Sequence, residues 1–101
     1  MIEIKIPHVI KVGGLDYPIL FEPIPDDDGE HDNWGWWRNN PRMIKIHPEA
    51  DDVRCSTTFW HEILHAIDDT ILGNRLTEQD TKNLEVGIHQ VLEQMGVRFV
   101  K

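Results

Sequence analysis

One cysteine, Cys55, is all the thiol chemistry this 101-residue chain possesses. A lone thiol excludes an internal disulfide and a zinc site made of four cysteines. Basic residues are also sparse: 10 Lys and Arg against 18 Asp and Glu give a net charge of −8. That balance provides no basic footprint for a phosphate backbone and is repelled by an anionic membrane surface. Neither nucleic acid nor membrane is therefore an expected partner. No apolar run approaches the ~20 residues a bilayer span needs. Residues 1–11 alternate polar and apolar side chains, instead of placing a basic region before an apolar run, so they do not read as a secretory signal. Internal repeats are lacking too. The expectation is one soluble, cytoplasmic domain over residues 1–101.

Hydropathy patterning divides the chain into two halves. Ile2, Ile4 and Ile6 alternate with Glu3 and Lys5, a strand period that Pro7 interrupts. Residues 9–12 and 17–22 read as two strands joined at Gly13-Gly14. Residues 23–33, with Pro23, Pro25, Asp26 to Asp28 and Gly29, read as a solvated loop, not an EF-hand, because the glycine falls at the wrong position. Residues 42–47 (RMIKIH) form another strand pattern that Pro48 ends. Trp34, Trp36 and Trp37 are expected to anchor core or loop. The second half is helical. Asp51 or Asp52 caps a helix reaching about Leu72, with Gly73-Asn74 as its stop. Thr77 and Asp80 form a variant capping box for a second helix over residues 78–95, closed by Gly96. Residues 97–100 are a short strand or a docked tail. Strands first and helices after predict an α+β fold, with a small antiparallel sheet packed on two C-terminal helices.

The first helix carries His61-Glu62-Ile63-Leu64-His65. Residues four apart on a helix share a face, so His61 and His65 can hold one zinc ion through neutral imidazoles. Glu62 lies about 100° round the axis from His61, beside the metal position and not on it. A carboxylate there can take a proton from a metal-activated water, which then attacks a carbonyl. Trp60, Ile63, Leu64, Ile67 and Ile71 make the apolar stripe, and the two histidines lie on its flank. Trp60 and Cys55 read as packing residues.

A third protein ligand is required for a catalytic zinc. Glu85 is the first candidate: a helix stop and a helix start separate it from His65, so the second helix can fold back onto the first. It lies on the flank of the stripe Leu84, Ile88, Val91, Leu92 and Met95. Glu78 and His89 share that flank and are the rivals. Asp69, four residues after His65, and less directly Asp68, could orient an imidazole.

At these residues the chain resembles the zincin metallopeptidases. HEILHAIDD followed by Glu85 looks like the gluzincin arrangement, and the stretch through residues 59–92 is similar to compact phage and bacterial proteins related to the ImmA/IrrE and SprT-like families. That resemblance implies His61, His65 and Glu85 as zinc ligands, Glu62 as general base, and a protein or peptide substrate aligned along a strand edge, for which RMIKIH is the candidate. Where gluzincins place an Asp after the ligand Glu, this chain has His89. Tyr17, His31, His47 and Arg42 are the candidates for stabilising an oxyanion. The alternative expectation is a zinc-stabilised binding or regulatory module without turnover.

Overall fold

The computed structural model describes residues 1–25 and 34–101. Most of the acidic loop, and with it His31, lies outside the described residues. Chain order is β1 (Ile2–Lys5), β2 (Val9–Val12), β3 (Leu15–Phe21), β4 (Gly35–Asn39), β5 (Arg42–Ile46), α1 (Asp52–Ile67), a π-helical turn (Asp68–Leu72), α2 (Glu78–Gln94) and β6 (Val97–Val100). The fold is α+β, and the sheet from the N-terminal half packs against the C-terminal helical half.

Four strands form one sheet in the order β2-β3-β5-β4. The β2/β3 hairpin is antiparallel, as expected; β4 and β5 are antiparallel too, but β3 and β5 pair in parallel, with Ile19 opposite Ile44. The sheet is thus mixed. β5, not β4, sits beside β3, and among the described residues β4 lies outside it. β4 itself is a strand that its sequence, GWWRN, does not announce by alternation. β1 pairs in parallel with β6, so of the two expectations for residues 97–100, strand or docked tail, the strand holds.

The core lies between this sheet and α1. Tyr17, Ile19, Ile44 and Ile46 are fully buried and cluster with Phe59, Ile63 and Ala66 of α1. Each such aliphatic side chain contributes about 1.5–3 kcal/mol by leaving water. Cys55 and Trp36 are buried, and Trp37 and Trp60 pack on the cluster, in keeping with their expected packing roles. Phe99 of β6 stacks on Phe59 at 5.4 Å and meets Trp60 edge-on at 5.3 Å, which docks the small sheet on α1.

Both helices start where their caps place them. The Asp51 carboxylate accepts from the Arg54 amide, and Thr77 and Asp80 complete a reciprocal capping box. α1 changes to π geometry at Asp68, where the Thr70 hydroxyl donates to the Ala66 carbonyl at 2.7 Å and Thr70 presses on the Gly13 turn. A hydroxyl bonded back to the preceding turn bends a helix. The turn swings Ile71 out to solvent, so the stripe expected along α1 ends at Ile67. α2 also departs from its expected seam: Leu84, Val91 and Met95 are exposed, and Thr81 is the buried residue of that helix.

Candidate metal centre

α1 is buried on nearly every side, and the motif sits at its middle. His61 is 3 % exposed and Glu62 1 %, whereas His65 keeps one edge open. β4 lies directly on this stretch. Gly35 approaches so closely that a β-carbon would fall 2.5 Å from Thr58 Cγ2 and 3.1 Å from the Glu62 side chain. Two residues further, on the same face of the strand, Trp37 stacks on the His65 ring at 6.0 Å. Strand and helix together therefore fix the general-base candidate and one imidazole.

The imidazoles meet edge to face, 4.8 Å between centroids, with their Nε2 atoms 3.2 Å apart. Two nitrogens this close need a proton or a cation between them. The Glu78 carboxylate closes the third side: Oε1 is 3.0 Å from His61 Nε2 and Oε2 is 3.6 Å from His65 Nε2. Ligands at about 2.0–2.1 Å from a tetrahedral ion stand roughly 3.3 Å apart. His61, His65 and Glu78 fit that spacing and form a group that could hold a metal ion.

Glu78 owes its place to the loop before it. The Asp68 carboxylate accepts from the Arg75 and Leu76 amides at 2.7 and 3.1 Å, and the left-handed Gly73 returns its amide to the Asp68 carbonyl. Asp68 thus pins the connection that delivers Glu78 as the first residue of α2, and does not orient an imidazole. Asp69 makes no hydrogen bond to either imidazole among the described residues.

Glu85 is present at the centre but in another position. Its Oε1 is 2.8 Å from His61 Nδ1, the ring nitrogen facing away from the Nε2 cluster. A carboxylate there accepts a hydrogen bond from Nδ1–H, which in the neutral ring leaves the Nε2 lone pair directed at the cluster. His89 lies a turn on, 3.7 Å from Glu93. Of the oxyanion candidates, Tyr17 is buried in the core, Arg42 donates to the Asp16 carbonyl, and His47 Nδ1 accepts from the Glu49 amide. None of these three is placed among the cluster's partners. RMIKIH is not an edge: β5 is internal, between β3 and β4, and among the described residues β4 is the outermost strand on that side and lies on the motif helix.

Electrostatics follow from this crowd of carboxylates. Burial opposes a charge on His61, but the hydrogen bond it donates to Glu85 and the charges of Glu62, Glu85 and Glu78 outweigh it and push its pKa up to about 9. With no metal bound, the charged form of His61 is therefore favoured near neutral pH.

No protein-family model, curated protein or solved structure gives a significant match to this chain. Among the described residues, no helix is long and apolar enough to cross a membrane.

Proposed function

We propose that this chain is a zinc-dependent peptidase in which His61, His65 and Glu78 hold the metal, Glu85 orients His61, and Glu62 is the general base. The observation that carries this reading is the convergence of two Nε2 atoms and one carboxylate within bonding distance of a single point. A zinc ion bound there would polarise a substrate carbonyl and make water nucleophilic near neutral pH. The chain's own groups do the rest. Glu85 fixes the His61 tautomer, and Trp37 holds the plane of the His65 ring. Glu62 takes a proton from water and returns it to the leaving amine. Glu78, 42 % exposed in its side chain, leaves the centre open on one side.

A second reading, a zinc-stabilised binding module without turnover, is favoured by one observation: Glu62 is almost wholly buried beneath β4. Two measurements separate the readings. Metal analysis of zinc-loaded protein should find stoichiometric zinc, and its absence removes both. Glu62→Gln should retain the zinc and abolish cleavage of a mixed peptide substrate pool. Zinc-loaded wild type that leaves the pool intact favours the binding module.

A further inference from the structure

Beside the His61–Glu85 pair a groove of about 380 Å³ runs between the start of α1 and α2. Trp34, Arg54, Thr57, Lys82 and Val86 line it, together with His61 and Glu85. Arg54 and Lys82 are both exposed, and neither forms an ion pair among the described residues. The Arg54 guanidinium lies 5.5 Å over the Trp34 ring, which holds it at the groove wall. In a chain of net charge −8, two cations on facing helices with no acidic partner among the described residues are out of keeping with their surroundings. The groove's only carboxylate among these lining residues, Glu85, is already engaged by His61.

We infer that this groove is a subsite for a carboxylate, held between Arg54 and Lys82, so that the peptide accepted at the neighbouring centre carries a negative charge next to the bond to be cut. This rests on the peptidase reading for its consequence but not for its test. Guanidinium and ammonium groups bind carboxylates by charge-assisted hydrogen bonds, with Arg able to do so through two parallel bonds. The Thr57 hydroxyl already donates to the Arg54 carbonyl, which ties the groove floor to the first turn of α1. The carboxylate can come from an Asp or Glu side chain or from a peptide C-terminus. Both have the same chemistry, and His61, which the groove shares with the proposed centre, makes the two sites neighbours.

The test is binding, read by amide chemical shifts of labelled protein, on both metal-free and zinc-loaded samples. Three probes are titrated: N-acetyl-Ala-Glu-Ala-amide, N-acetyl-Ala-Ala-Ala with a free C-terminus, and N-acetyl-Ala-Ala-Ala-amide. The expected result is saturable shifts at Arg54, Thr57 and Lys82 with one or both charged probes and none with the neutral one. Response to the first alone identifies a side-chain carboxylate, and response to the second alone a C-terminus. Arg54→Gln and Lys82→Gln should each weaken binding about two- to fivefold, the range for exposed ion pairs, and added salt should weaken it further. Equal binding of the neutral probe, or affinity unchanged in the Arg54→Gln/Lys82→Gln double variant, overturns the proposal. Because the metal-free sample needs neither zinc nor turnover, failure of the metal centre leaves this result readable. A protein that cuts peptides without preferring the charged ones refutes the subsite and spares the centre.

Discussion

Replacing Gly35 by alanine tests how β4 holds Glu62. The new methyl would stand 2.5 Å from Thr58 Cγ2 and 3.1 Å from Glu62 Cγ and Cδ, against about 3.5–4.0 Å for an ordinary carbon contact. Thr58 cannot turn away easily, because it is buried in mid-helix and β-branched. The strand must lift instead. Overpacking of this kind costs about 1–3 kcal/mol. The stiffer unfolded chain of the alanine variant returns about 0.4–1 kcal/mol. The net loss should be roughly 1–2 kcal/mol, read as a lower urea midpoint at unchanged slope. Thr58→Ser removes the Cγ2 that the methyl strikes. In the double variant it should recover about 1 kcal/mol, a coupling that a double-mutant cycle measures directly. The contact with Glu62 survives in that variant, so stability should recover more than peptide cleavage does. Strict additivity of the two substitutions, or a Gly35→Ala protein as stable as wild type, would refute the close packing of β4 on the motif helix.

Two further outcomes follow from the centre. Glu85→Ala should weaken zinc binding about 10–100-fold, the usual loss for a carboxylate that orients a ligand, and Glu78→Ala should weaken it more; the reverse order in chelator competition would return the ligand role to Glu85. Zinc and a proton compete for His61, so apparent zinc affinity should rise about tenfold per pH unit from pH 7 to its pKa near 9 and level off above it, and a flat profile contradicts the assignment. The metal-free protein should behave oppositely: a pKa raised from 6.5 to about 9 stabilises the fold fully below pH 6.5 and is lost as pH climbs through 9, roughly 3 kcal/mol that urea unfolding in chelator would register.

What was legible in the sequence was local. Asp51, Thr77 and Asp80 marked the helix starts because capping is a contact between near neighbours. His61, Glu62 and His65 were legible because their geometry is that of one helix. Strand order was not legible, since nothing in residues 15–21 or 42–46 records that β4 would lie outside β5 or that β3 and β5 would be parallel. Glu78 and Glu85 illustrate the same limit at the centre. Seven residues apart, they lie on one flank of α2, and helical periodicity treats them alike. About 10 Å of helix rise separates them, and what selects between them is the depth at which α2 begins. That depth is set by Asp68 gripping the Arg75 and Leu76 amides, a contact between residues seven and eight apart across a loop. The run Asp68-Asp69 did carry a signal, but periodicity pointed to Asp69 as the useful member. The π turn over Asp68–Leu72 rotates the helix register at these two residues.

The charge at the centre explains why these residues can be buried together at all. Glu62, Glu78 and Glu85 all act on His61, and Glu62 is almost without solvent. Carboxylates gathered in this way repel one another, and burying an uncompensated charge is costly. One imidazolium offsets one of the three. A divalent cation between the Nε2 atoms and Glu78 would displace that proton and offset two, which brings the group from two negative charges to one. The metal-free site is thus held by a proton that a metal must expel, and each state is stabilised in the pH range where the other is weakened. A merely structural pair of helical histidines has no need of three converging carboxylates, and the local excess of negative charge is the physical reason to look for a cation here.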